Sequence, residues 1–202
     1  MSKLIYLHLG LHKTATTSFQ TTCAKNREEL LSQDFHYPLF SCGESAIAPF
    51  DNHSIPLFSL FSSYPERYPV NIRLGLNNLD ETHQLYREQL QAALSSEHDL
   101  ILSAEDISSL EIFEIRQLLE YLQQSGRDIR PIASVRHPYA YHCSQLQQQI
   151  KDGTPMVPWH HCPQRDRIKK LDAVFKNDLQ YINFEASCNH PQGPVAHLLN
   201  TL

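Results

Sequence analysis

The sequence predicts an α/β protein: three layers, α/β/α, around a central parallel sheet of about five strands. Two observations carry this. Apolar runs of strand length alternate with helix-length segments along the chain, and a run such as Leu100-Ile101-Leu102 is continuously apolar, the kind buried on both faces of a parallel sheet. A chain of 202 residues is long enough for one well-buried core and short for two ordinary domains, so a single domain over residues 1–202 is expected.

Residues 3–9 form the first expected strand, followed by a helix over 16–33 with Phe19, Cys23, Leu30 and Leu31 toward the core. Phe35-His36-Tyr37, stopped by Pro38, reads as a short second strand. Residues 40–80 carry Pro49, Pro56, Pro65 and Pro69 among aromatics and predict loops and short helices. A helix over about 81–97 places Leu85, Leu90 and Leu94 on one face. The strand 99–103, a helix over about 110–124 ended by Ser125-Gly126, a strand 131–135 and a helix over about 139–151 follow. A helix near 165–175 and a strand 179–184 complete the alternation. In such sheets ligands bind at the carboxyl ends of the strands, and His12-Lys13, Glu105 and Arg136 each follow one.

Composition excludes several function classes. A formal net charge of −5 argues against generic nucleic-acid binding, so any polyanion-binding surface is local. Met1-Ser2-Lys3 enters a strand without a signal-peptide core, and no run approaches the roughly 20 apolar residues of a membrane span, so a cytoplasmic protein is expected. The 5 cysteines lack C-x-x-C spacing and are odd in number, which favours free thiols. The 12 histidines include His160-His161-Cys162 and His137 with His142, but neither grouping has the spacing of a zinc site, so no metal is expected.

The chemistry concentrates in residues 5–20, where a strand runs into a loop with one lysine and clustered hydroxyls and then into a helix. The first N–H groups of such a helix have no internal partner, and with the helix dipole they attract an anion. Lys13 adds a mobile charge; Thr14, Thr16, Thr17 and Ser18 add hydroxyls. The nucleoside triphosphatase pattern G-x-x-x-x-G-K-[ST] is not met, since no glycine immediately precedes Lys13 and Gly10 lies three residues before it.

The string Lys13-Thr14-Ala15-Thr16-Thr17 instead resembles the K-[TS]-G-T-T loop of sulfotransferases, which binds the 5′-phosphosulfate of 3′-phosphoadenosine 5′-phosphosulfate (PAPS); four of its five positions agree. A second stretch, Ile129 to Ser144, resembles the same family's 3′-phosphate site, in which an arginine ends a strand and a serine follows eight residues later; Arg136 and Ser144 stand at that separation. The resemblance implies a P-loop-like sulfotransferase fold that transfers a sulfuryl group from PAPS to a hydroxyl or amine and releases adenosine 3′,5′-bisphosphate. It implies Lys13 at the bridging oxygen, Thr14, Ala15, Thr16, Thr17 and Ser18 around the 5′-phosphate, and Arg136 with Ser144 at the 3′-phosphate. Ser103-Ala104-Glu105 is similar to the Ser-Ser-Glu stretch of carbohydrate and bacterial sulfotransferases, in which the glutamate is a catalytic base.

Glu105 and Asp106 serve equally as helix N-terminal charge without chemistry. His12, beside Lys13, is the other candidate for contact with the transferring group, whereas His8 alternates with Tyr6 on a sheet face and reads as a packed core histidine. His53 is either an acceptor-pocket residue or a core one. Arg165, Arg167, Lys169 and Lys170 read as a solvated helix face that could attract an acidic acceptor. Two departures from the family stand out: Ala15 replaces glycine, which is strained if the loop needs positive φ there, and the sequence to Leu202 shows no basic, glycine-containing loop of the kind that closes over the family's cofactor. The acceptor class is left open among carbohydrate, lipid and small metabolite. A nucleotide kinase or NTPase-like P-loop protein and a non-catalytic nucleotide-binding relative are the competing readings.

Overall fold

The computed structural model describes residues 2–44, 47–76, 78–153 and 162–202. Its strands are β1 (Leu4–His8), β2 (Phe35–His36), β3 (Asp99–Ser103), β4 (Asp128–Val135) and β5 (Gln180–Asn183), all parallel in the order β2-β3-β1-β4-β5. The helices of the first half are α1 (Thr16–Lys25), α2 (Arg27–Ser32), α3 (Ser54–Phe61), α4 (Pro69–Leu74) and α5 (Leu79–Leu94). Those of the second half are α6 (Ile112–Gln123), α7 (Pro138–Lys151), α8 (Gln164–Phe175), α9 (Phe184–Cys188) and α10 (Gly193–Leu199). The α/β class with a five-stranded parallel sheet is therefore as the sequence predicts.

Successive side chains on a strand point to opposite faces, and the two core clusters follow that rule. Ile5, Leu7, Leu100, Leu102 and Ala133 pack on one face against Leu57 of α3, Tyr86 and Leu90 of α5, Ile115 and Leu118 of α6, and Leu171 and Phe175 of α8. Tyr6, Ile101, Ile132 and Ile182 pack on the other, against Phe19 and Cys23 of α1 and Leu198 of α10. Each fully buried aliphatic side chain contributes about 1.5–3 kcal/mol relative to exposure. The sheet is thus clamped between one broad helical layer and one narrow layer led by α1.

Local chemistry explains where element boundaries move. The expected helix 16–33 breaks at Asn26, whose backbone N–H and side-chain amide both donate to the Thr22 carbonyl, so the asparagine caps α1 and α2 restarts behind it. Leu31 is consequently exposed. In α5 the buried face is Thr82, Tyr86, Leu90 and Ala93. Strand β4 begins at Asp128, three residues earlier than expected, and tolerates Pro131 for a positional reason. Ile132 accepts from the Leu9 N–H on the β1 side, so Pro131 turns its missing donor toward β5, which pairs only from Ile132 onward. Residues 40–80 hold α3, α4 and the 3₁₀ turn Pro65–Arg67, with Pro69 at the first position of α4, where no N–H is needed.

The order β2-β3-β1-β4-β5 makes β1 the switch point. The chain leaves β1 for β2 on one side and later crosses from β3 to β4 on the other, which opens a crevice at the carboxyl ends of β1, β3 and β4. Residues 9–15, Glu105 and Arg136 lie there. Among the described residues no helix is long and apolar enough to cross a membrane.

Candidate functional site

The loop after β1 is held tightly before it turns. Leu9 and Leu11 donate N–H groups to the Ile132 and Ser134 carbonyls at 2.8 and 3.3 Å, extending the pairing to β4. A Cβ on Gly10 would meet Thr16 Oγ1 at 2.6 Å and the His8 ring at 3.1 Å, so only glycine lets the loop close on the start of α1. Lys13 and Ala15 then take left-handed backbone angles, φ 68° and 60°. For non-glycine residues this costs about 1–2 kcal/mol each. Two hydrogen bonds offset it: Arg136 Nη1 donates to the Lys13 carbonyl at 2.8 Å, and Thr14 Oγ1 donates to the Leu11 carbonyl. The strain anticipated at Ala15 is therefore present.

This conformation aims the start of α1 at the crevice. The first intrahelical bond is from Phe19 N–H to the Ala15 carbonyl, so the N–H groups of Thr16, Thr17 and Ser18 precede the ladder. No side chain caps this terminus and its first turn holds no acid. The N–H groups at the positive end of this helix are therefore not spent on a capping side chain.

A carboxylate pair stands beside this helix start. Ser103 at the end of β3 receives hydrogen bonds on its carbonyl from Gln20 Nε2 and His53 N–H, donates its N–H to His53 Nδ1, and shares one between its hydroxyl and His8 Nδ1. Ala104 N–H is bound to the His8 carbonyl. Glu105 and Asp106 follow on this pinned base. His12 lies between them, Nδ1 3.5 Å from Glu105 Oε2 and Nε2 3.4 Å from Asp106 Oδ1. Burial would raise the Glu105 carboxyl, but hydrogen bonds from His12 and Thr16 and the neighbouring charge of His12 outweigh it and hold the group below its ordinary range. Asp106 also accepts from Tyr68 Oη at 2.6 Å and from its own N–H side is anchored to Ser54 Oγ.

Between loop and carboxylates lies a cavity of about 520 Å³. The loop and α1 supply His12, Lys13, Ala15, Thr16 and Thr17, and Glu105 closes one side. Three further residues line it that the sequence reading did not single out for the site: Tyr141 and Gln145, one turn apart on α7, and Arg167 on α8. Arg167 was grouped with the solvated charges of its helix, and that grouping is corrected here. Arg165 and Lys169 are exposed, but Arg167 shares a stripe at four-residue spacing with the buried Leu171 and Phe175, a signal the sequence does carry. Lys170 instead donates to the Ser109 and Leu110 carbonyls.

The remaining candidates are distributed around this cavity. Thr14 is buried with its hydroxyl engaged inside the loop, while Ser18 is exposed; neither lines the cavity. Arg136 stacks over Phe184 at 5.1 Å and binds the Lys13 carbonyl, and its buried Nε has no partner among the described residues. Ser144 lies half-buried on α7, outside the cavity lining. His8 is fully buried, edge-on to Phe19 at 5.0 Å, and burial pushes it down to about 4, as a packed core histidine. His53 is also fully buried and pushed down to about 4 by burial; its Nε2–H donates to the Pro38 carbonyl at 2.7 Å, so it belongs to the core and to no acceptor pocket. His160 and His161 lie outside the described residues, and among the described residues no three His, Cys, Asp or Glu side chains gather as a metal site.

No family model and no curated protein sequence matches this chain. Among solved structures it is similar to a retinol dehydratase in complex with androsterone and inactive cofactor PAP, at 11% identity and a TM-score of 0.35. The match covers 98% of this chain and 58% of that one, so this chain spans little more than half the neighbour's length. A TM-score of that size is too low to assign the chain to a family.

Proposed function

We propose that this protein is a sulfotransferase that moves a sulfuryl group from PAPS to a hydroxyl or amine of a carbohydrate or small-molecule acceptor. The observation that carries the reading is the uncapped, acid-free start of α1 beside Lys13, with the Glu105–His12 pair lining the same cavity. The residues present fit a phosphosulfate: a positive helix end with free N–H groups, one lysine, and threonine hydroxyls. At the other end of the nucleotide, Arg136 keeps donors beyond the one spent on the Lys13 carbonyl, and its buried Nε lacks a partner among the described residues.

PAPS supplies the activated sulfuryl group. The amides of Thr16 and Thr17 hold its 5′-phosphate, and Arg136 with Ser144 selects the 3′-phosphate that separates this nucleotide from ATP. Lys13 donates to the bridging oxygen as charge develops there, an interaction stronger in the transition state than before it. Glu105, kept ionised by His12 and Thr16, takes the proton from the acceptor hydroxyl. His12 keeps that carboxylate oriented and shares the proton.

Calorimetric titration of adenosine 3′,5′-bisphosphate, with adenosine 5′-monophosphate as comparison, tests this. The bisphosphate is expected to bind at least about tenfold more tightly than the monophosphate, and Lys13→Ala and Arg136→Ala each to weaken it about tenfold or more. Equal binding of the two nucleotides, or unchanged binding in both variants, overturns the assignment.

A further inference from the structure

Arg167 is a cation with no acid at contact distance among the described residues. It is half-buried on α8, with its side chain in the cavity wall, and its guanidinium has no hydrogen bond or ion pair among the described residues. A guanidinium carries five N–H donors, and withdrawing them from water without acceptors is unfavourable. The nearby carboxylates do not explain it. Glu105 is engaged by His12 and Thr16, and the Asp106 carboxylate by His12 and the Tyr68 hydroxyl.

The position of Arg167 divides the cavity. Lys13 and the start of α1 occupy one wall. Arg167 lines the same cavity as Glu105 and Tyr141, and Tyr141, Asp106, Glu105 and Cys162 are near enough to act on its charge. A base at Glu105 must touch the acceptor hydroxyl, so a cation beside Glu105 lies where the rest of the acceptor rests. The lining is also unsuited to an apolar acceptor: among the described residues it is mostly polar or charged, and a hydrophobic ligand would strand Lys13, Glu105 and Arg167 without water. A planar carboxylate matches the paired N–H groups of a guanidinium, and Tyr141 and Gln145 stand on the adjacent turns of α7 to complete the contact.

Resting on the sulfuryl-transfer reading, we infer that the acceptor is an acidic hydroxyl compound, with its carboxylate held by Arg167 while its hydroxyl faces Glu105. Arg167 is then the residue that sets acceptor specificity and is not part of the nucleotide site.

The test uses an isosteric pair, 4-hydroxyphenylacetate and 4-hydroxyphenylacetamide, titrated into the protein saturated with adenosine 3′,5′-bisphosphate. The acid is expected to bind at least about tenfold more tightly than the amide to the parent protein. In Arg167→Gln, the ratio is expected to fall to within about twofold while bisphosphate affinity holds within about twofold, and Arg167→Lys is expected to restore part of the preference. Equal binding of acid and amide to the parent protein overturns the inference. So does a preference that survives in Arg167→Gln, or a bisphosphate affinity that falls with it, which would place Arg167 on the nucleotide. Should the parent protein bind no bisphosphate, the sulfuryl-transfer reading fails on its own, and the same pair titrated into the free protein still decides whether Arg167 reads a carboxylate.

Discussion

Replacing Ala15 by glycine tests whether the anion cradle is held under strain. Ala15 sits at φ 60° immediately before α1, and an L-residue with a Cβ there costs about 1–2 kcal/mol, which glycine does not incur. Against this, glycine has more freedom to lose on folding, about 0.4–1 kcal/mol. The difference leaves Ala15→Gly more stable by about 1 kcal/mol, or about 2–4 °C in Tm for a chain of 202 residues. Ala24→Gly, in the last turn of the same helix, provides the opposite sign, because glycine within a helix loses about 0.5–1 kcal/mol against alanine. Urea denaturation of the three proteins, read as midpoint at constant m-value, measures both changes. The reasoning is refuted if Ala15→Gly is destabilised to the same extent as Ala24→Gly.

Gly10→Ala is expected to cost about 1–3 kcal/mol and to weaken adenosine 3′,5′-bisphosphate binding, because the new methyl meets the buried Thr16 hydroxyl at 2.6 Å and the His8 ring at 3.1 Å; calorimetry and urea midpoints check both. His8 and His53 make stability depend on pH. Both fold neutral with pKa near 4 against 6.5 when unfolded, so their contribution is complete above pH 6.5 and is lost as pH falls toward 4, on the order of 3 kcal/mol each. Stability should therefore rise with pH between 4.5 and 6, by on the order of 2 to 3 kcal/mol per pH unit; a flat profile in denaturant melts would contradict the burial of these rings. Arg127 donates to the carbonyls of Leu94, Ser96 and His98 at the end of α5, and Arg127→Leu should cost about 2–4 kcal/mol in the same melts while leaving nucleotide binding intact.

The candidate site's loop was legible because a strand-to-helix turn is written in consecutive residues: the strand, Gly10, Lys13 and the threonines all fall within residues 5–20. Glu105 was legible for the same reason, as the first charge after a continuous apolar strand. Which hydroxyls face the ligand was not. Thr14 turns into the loop and Thr16 toward Glu105, and this depends on left-handed angles at Lys13 and Ala15 that only the closure against His8 and Thr16 dictates. Arg167 was hidden by its neighbours: four basic residues within six positions look like a wet surface, and only the depth of Leu171 and Phe175 shows that the stripe through Arg167 turns inward. Asn26 divided one expected helix by competing for the Thr22 carbonyl, a choice that periodicity alone does not register.

The strand that carries the cradle has no neighbour from its own part of the sequence. Ile5 pairs with Leu100 on one side and Ile129 on the other. During synthesis, the first hundred or so residues leave the ribosome with β1 unpaired on both edges, and the Arg136 contact that fixes the Lys13 carbonyl is later still. The closing of such distant partners is entropically expensive and slow. The loop after β1 is thus fixed only once β4 and Arg136 are in place, so a nascent chain halted before that point exposes an unpaired central strand and an unformed cavity.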